Sequence, residues 1–199
     1  MLTKFVDPAP AANDDLPVKS LPPIFRKLWR GESTLLRDHL TRLDVEGRLF
    51  RFGHAVSDER IDDYCASTDW RTSVVLSAWI GGTMRAAGEL KILKGSWPPS
   101  AEVALSVERH FDSHGIGSEL FRRLLVVARN RGIRRIYMLC LSENDRMLRI
   151  ARKAIPDLRI GGDQIEGEID LAPPTLLSLG DELYNDCWAA FRIIAAAAA

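Results

Sequence analysis

The sequence predicts an α/β domain built on a mixed sheet, and three observations carry that expectation. The hydrophobic period changes along the chain, from helical spacing around residues 32–66 to alternation across 72–110, then back to helical spacing from 115. Two of the strand-like runs, 72–82 and 85–95, are joined by a glycine-containing turn and read as a hairpin. The helix at 115 is entered from an alternating strand and left into an almost continuous apolar one, which makes a strand–helix–strand unit.

In chain order, "FRKLWR" (25–30) reads as a short strand. "ESTLLRDHLTRL" (32–43) places Leu35, Leu36, His39, Leu40 and Leu43 on one helical face. "SDERIDDYCA" (57–66) opens on Ser57 with Asp58 and Glu59 in its first turn, the signature of a helix start. After the hairpin, "AEVALSVERH" (101–110) alternates Val103, Leu105 and Val107 with Glu102, Ala104 and Ser106. The helix from 115 to about 131 turns Leu120, Phe121, Leu124, Leu125 and Ala128 inward and meets Gly132 at its C-terminal cap. "RRIYMLCLS" (134–142) is the kind of strand that is buried on both faces. A short helix (144–154), a strand (163–171) and a last helix (179–194) complete the series.

Residues 1–23, rich in Pro, Ala and Asp from position 7, are expected to be a mobile lead-in. Residues 24–194 are expected to form a single domain, and the alanines at 195–199 a frayed helix end or an added tail. The formal net charge is zero, so no large basic field for nucleic acid is expected. No apolar run approaches the roughly 20 residues of a membrane span, and no secretory signal pattern opens the chain. Cys65, Cys140 and Cys187 are widely spaced and form no Cys/His cluster, so neither a disulfide framework nor a metal site is expected. The expected compartment is the cytoplasm. His39 reads as a packed helix residue and His54 as a loop residue, while Trp188 and Phe191 leave a homodimer contact open.

The chemistry concentrates at "HFDSHGIGSELF" (110–121). A helix N-terminus offers free backbone N–H groups and a partial positive charge, which suits an anion. Gly115 and Gly117 let a phosphate approach the backbone with no Cβ in the way. A dinucleotide fingerprint would need a third glycine where Leu120 stands, and no Gly-Lys-Ser/Thr triplet makes a P-loop.

Here the run "AEVALSVERHFDSHGIGSELF" resembles the core motif of the Gcn5-related N-acetyltransferase (GNAT) superfamily, and "SENDRMLRIARK" resembles the motif that follows it. "LLRDHLTRLDVEGRLFRFGHAVSDERIDDY" is similar to the branch of bacterial protein lysine acetyltransferases. The resemblance covers about 25–171. It implies six or seven strands splayed at the middle and flanked by helices, with acetyl-CoA as co-substrate in the gap. It implies that Ser113, His114, Gly115, Ile116, Gly117 and Ser118 line the pyrophosphate, that Val107 meets the pantetheine arm and the thioester oxygen through its backbone, and that Asn144 contacts the far side of acetyl-CoA. Two positions depart from the pattern. Asp112 stands where relatives carry Arg or Gln, and Ala151 where many carry a tyrosine that protonates the leaving thiolate.

A lysine amine is mostly protonated at neutral pH, so transfer to it needs a general base. Glu102 is the first candidate, Glu89 the second and Glu108 a weaker third. The expected acceptor is an amine, foremost a protein lysine. A small amine as acceptor, and a non-catalytic acyl-CoA sensor, are the competing readings.

Overall fold

The computed structural model describes residues 22–112, 114–154, 159–161 and 164–197. The expected lead-in therefore lies almost wholly outside the described residues, as does Ser113. Among the described residues, seven strands form one sheet in the order β1-β2-β3-β4-β5-β7-β6. These are β1 (Ile24–Lys27), β2 (Ser73–Ile80), β3 (Thr83–Leu93), β4 (Ser100–Val107), β5 (Arg135–Leu141), β6 (Arg159–Gly161) and β7 (Gln164–Asp170). Six helices accompany them: α1 (Ser33–Arg42), α2 (Val45–Phe52), α3 (Asp58–Ser67), α4 (Ile116–Asn130), α5 (Asp145–Ala154) and α6 (Leu176–Ala197).

Every neighbouring pair of strands is antiparallel except β4 and β5, which run parallel. That pair is joined by the α4 crossover, as a parallel connection requires. One face of the sheet packs on α4, where Leu120, Leu124 and Ala128 meet Leu90, Val103 and Ile136. The other face carries α1 and α3, with Leu36, Leu40 and Ile61 over Val75, Met84 and Ala87. Both cores are closed by side chains at helical or alternating spacing, which is why the sequence period was informative. As expected, Ser57 caps α3, its hydroxyl accepting the Arg60 N–H.

Three local features differ from the expected ones. Helix α2 is additional: Asp44 caps it by accepting the Gly47 N–H at 2.7 Å, and Gly53 ends it. Its eight residues include Gly47 and an exposed Val45, so no clean apolar stripe announces it. Strand β6 is also additional, three residues paired only at the sheet's edge. In β5, Ile136, Met138 and Cys140 are buried but Tyr137 is 37% exposed, so the strand is not covered evenly on its two faces. Helix α1 packs over β3, and β5 is reached by the short α2.

A buried polar cluster ties α1 to the end of β4. His39 is fully enclosed, with Nε2 2.9 Å from Ser106 Oγ and Nδ1 3.4 Å from Glu108 Oε1. A carboxylate only accepts, so Nδ1 carries the proton and Nε2 accepts the Ser106 hydroxyl. Burial pushes the His39 pKa below its ordinary value, outweighing the opposite pull of Glu108, with Arg42 and Arg51 adding to the decrease. The unfolded chain takes up this proton below about pH 6.5 while the folded chain does not. Stability should therefore be level above that pH and decline below it, by up to about 1.4 kcal/mol per pH unit. Thermal unfolding at stepwise pH checks this, and a His39→Gln variant should lose that part of the slope.

Candidate active site

The sheet forks between β4 and β5. Their parallel pairing covers Ser100–Arg135 to Val103–Met138 and stops, although β4 continues to Val107 and β5 to Leu141. Beyond that point β4 stays bonded to β3 and β5 to β7, so the two half-sheets separate. The direction of the free backbone groups follows from one hydrogen bond. The Glu108 N–H donates to the Arg85 carbonyl on the β3 side at 2.9 Å. Backbone groups alternate sides along a strand, so the Val107 N–H and C=O point away from β3 and into the fork. Leu105 shares that direction. The fork thus has an unpaired strand edge on its β4 wall.

That edge leads to the start of α4. Gly115 adopts φ +78°, a left-handed conformation that a side chain disfavours, and it hands the chain into the helix. The first intrahelical bond is Glu119 N–H to Gly115 C=O, which leaves the N–H groups of Ile116, Gly117 and Ser118 without partners in the helix. Gly117 faces a tight place: a Cβ there would stand 3.2 Å from Ile150 Cδ1 and 3.6 Å from Val107 Cγ2. The end of β4 and the first turn of α4 are therefore in contact, and the open strand edge runs continuously into the glycine-led turn with its free N–H groups. The Ile116 side chain is buried in the core, so that residue offers only its backbone. Glu119 would oppose an anion here, but its carboxylate is drawn aside by Arg122 at 2.8 Å and Arg123 at 2.7 Å.

Around the turn the remaining residues have defined partners. His114 is exposed and its Nδ1 lies 2.7 Å from the Asp112 carbonyl, so the ring is pinned to its own loop. Asn144 starts α5, its Oδ1 accepting the Met147 N–H at 3.0 Å. This capping role orients Asn144 from within the helix. Asp112 does not face the turn unopposed. Arg146 of α5 approaches its Oδ2 to 2.5 Å, a charge contact outside hydrogen-bond geometry. Burial pushes the Asp112 carboxyl up, while Arg146 pulls it down. Ala151 is fully enclosed among core residues, so its position supplies no titratable group. The basic run 129–135 lies at the opposite end of α4, roughly 20 Å from the turn at 1.5 Å per residue. Its Arg131 is engaged by Glu182.

The three carboxylates weighed as bases sit in different surroundings. Glu102 lies in the closed part of the fork, one position before the last β4–β5 pair, flanked in register by Lys91 on β3 and Tyr137 on β5. It is exposed and makes no hydrogen bond or ion pair among the described residues. Glu89 lies opposite Ala104, the first β4 residue past the fork point. It is buried, and its Oε2 accepts from Arg51 at 3.0 Å and from the Tyr64 hydroxyl. Burial pushes the Tyr64 hydroxyl pKa far up, and the Glu89 charge adds to that. Glu108 is engaged on both oxygens, by Arg42 and Arg85 at 2.9 Å each. Burial would raise its carboxyl, but the hydrogen bonds to His39 and Arg85 and the charge of Arg42 prevail and hold it below its ordinary value. Of the three, Glu102 alone keeps its carboxylate free.

Arg51, Tyr64 and Arg146 escaped the sequence reading. Each acts on a partner 25 to 38 residues away or, for Arg146 and Asp112, on another element altogether. No local spacing signals such pairs. Helix α2, which supplies Arg51, touches both β4 and β5 and so lies beside the fork. Among the described residues no group of three or more His, Cys, Asp or Glu is placed to hold a metal ion, and no helix is long and apolar enough to cross a membrane.

A forked mixed sheet with a free strand edge running into a glycine-led helix start is a recognisable arrangement, and comparison with known proteins agrees with it. The family model described as "Acetyltransferase (GNAT) family" matches residues 38–154, from within α1 to the end of α5. That span is more than half the chain, and the protein belongs to the GNAT acetyltransferase family. Among solved structures, the GNAT domain of S. lividans PAT superposes with a TM-score of 0.63 at 22% identity, over 79% of this chain and 100% of that one. The yncA protein of Salmonella typhimurium, solved with acetyl-CoA, gives 0.57 at 12% identity over 78% and 99%. The PaiA N-acetyltransferase of Thermoplasma acidophilum, solved with coenzyme A, gives 0.53 at 17% over 75% and 99%. At such identities the likeness is one of fold. No curated protein sequence matches.

Proposed function

We propose that this protein is an acetyl-CoA-dependent N-acetyltransferase whose acceptor is the side-chain amine of a protein lysine. The observation that carries the proposal is the continuous path from the unpaired β4 edge to the free N–H groups of α4. A phosphate-bearing chain with amide groups along its length fits that path: the amides pair with Leu105 and Val107, and the phosphates lie on the Ile116–Ser118 backbone. Gly117 leaves room there that a Cβ would reduce. The coenzyme A and acetyl-CoA complexes of structurally similar proteins support the same ligand. Acetyl-CoA supplies the activated acetyl group as a thioester.

The chain's own residues do the rest. Glu102 takes the proton of the acceptor ammonium through water along the roughly 16 Å of β4 that separates it from Val107, because a lysine amine with a pKa near 10.4 attacks only when neutral. The Val107 N–H, aimed into the fork, stabilises the negative charge that develops on the carbonyl oxygen. The thiolate leaves without a side-chain acid at Ala151; a thiol pKa near 8.5 makes that departure easy. A lysine on a protein surface is favoured as acceptor because Glu102 stands on an open strand face rather than in a closed pocket.

Incubation with labelled acetyl-CoA and a cell extract tests the acceptor. The proposal expects label in the macromolecular fraction, bound as acetyl-lysine. Label confined to small molecules would replace the acceptor with a free amine, and binding without transfer would make the protein a sensor.

The Asp112–Arg146 pair gives a second test. Removing the arginine leaves a carboxylate beside the phosphate site, a repulsion on the order of 1–2 kcal/mol at intermediate dielectric. Arg146→Ala is thus expected to weaken acetyl-CoA binding about tenfold, measured by calorimetry. Adding Asp112→Asn to that variant should restore the affinity.

A further inference from the structure

The outward side of α6 is unlike the rest of the surface. Leu177, Leu183, Tyr184, Trp188 and Phe191 recur at helical spacing, with Leu176 at their head, and all are exposed, Leu177 to 87% and Trp188 to 51%. Tyr184, Trp188 and Phe191 already stack on one another, with ring centroids 6.4 and 5.8 Å apart. Cys187 lies exposed in the same stripe. Together these side chains present apolar surface on the order of 800 Å², more than a monomer usually leaves open and about one side of a standard interface.

We infer that this face of α6 is the interface through which two copies of the chain associate. Charge decides between occupants. The acidic residues of α6 are matched within their own chain: Glu182 by Lys27 at 2.6 Å and Arg131 at 3.2 Å, Asp186 by Lys27 at 2.5 Å, and Asp181 by Arg122 at 3.5 Å. The apolar stripe itself carries no charge. In a two-fold interface each patch meets itself, so a charged patch would repel its copy and an uncharged one does not. An interfacial membrane helix is instead rich in Lys and Arg on its polar face, whereas α6 has three acidic residues and a single arginine. Aromatic side chains clustered at the middle of the patch are the usual anchors of protein interfaces.

Sedimentation velocity of the full chain, from about 0.1 to 50 µM, tests the inference. A concentration-dependent dimer is expected. Leu183→Glu and Trp188→Glu, each made separately, should weaken it at least about 100-fold. Both side chains project from the fold, so far-ultraviolet dichroism and thermal unfolding of the variants should match the natural chain at concentrations where that chain is monomeric. A second readout is the rate at which Cys187 reacts with a thiol reagent, since Cys65 and Cys140 are buried. That rate should fall as the natural protein is concentrated and stay constant in either variant. A monomer at every concentration would overturn the inference, whether or not residues 1–21 are what covers the stripe. So would a dimer indifferent to both substitutions, or a monomer that partitions onto phosphatidylcholine–phosphatidylserine vesicles.

Discussion

Glu102→Gln is expected to lower kcat/KM for acetyl transfer about a hundred- to ten-thousand-fold while leaving acetyl-CoA binding intact, the usual loss for an essential general base. The expectation rests on two features of the residue. Its carboxylate is free, and its place in β4 is one step before the fork opens, on the open strand face. Glutamine keeps the shape and removes only the proton acceptor. The deficit should narrow between pH 7 and 9, because solvent deprotonates a rising share of an amine whose pKa is near 10.4. Glu89→Gln makes the informative control. Its Oε2 is occupied by Arg51 and Tyr64, and a glutamine can still accept from both. Turnover should then stay within about tenfold of the natural value, the effect appearing in stability instead. Comparable losses in both variants would assign the base to neither alone. Loss confined to Glu89→Gln would move it to that residue.

The second large effect concerns stability. Glu108→Ala is expected to cost about 3 kcal/mol and to lower the unfolding midpoint by roughly 6–12 °C for a chain of this size. Glu108 is the acceptor that gathers His39, Arg42 and Arg85, and its side chain is 9% exposed. Without it, the guanidinium groups of Arg42 and Arg85 each lose an anionic partner and the buried His39 Nδ1–H loses its acceptor, and the penalty is theirs more than the lost bonds'. Glu108→Gln should cost less, since one oxygen still accepts. Thermal unfolding at pH 7 separates the two. As Glu108 follows Val107 directly, the alanine variant should also loosen the β4 edge and weaken acetyl-CoA binding, which Glu108→Gln should largely spare.

What the sequence made legible follows from how locally each feature is encoded. The β4–α4–β5 unit was readable because alternation, a glycine-led helix start and a buried apolar strand stand next to one another along the chain. The Gly115 turn was readable because its chemistry is backbone chemistry. Helix α2 was hidden by its eight-residue length, its internal Gly47 and an apolar residue left exposed. Strand β6 was hidden by having only three residues. The partners that decide how the site behaves were out of reach for another reason. Asp112 turns to Arg146, Glu89 to Arg51 and Tyr64, and His39 to Ser106 and Glu108, all across separate elements. Such pairs exist only once the sheet has folded. Helical spacing placed His39 inside, but only the tertiary cluster explains why a neutral imidazole is satisfied there.

The most direct measurement is a backbone amide NMR titration of the protein with acetyl-CoA. The proposed site predicts the largest shifts at Val107, Ile116, Gly117 and Ser118, with Leu105 following and the amides of α6 unmoved. Saturable binding whose shifts fall elsewhere, leaving the β4 edge and the first turn of α4 unchanged, would contradict it.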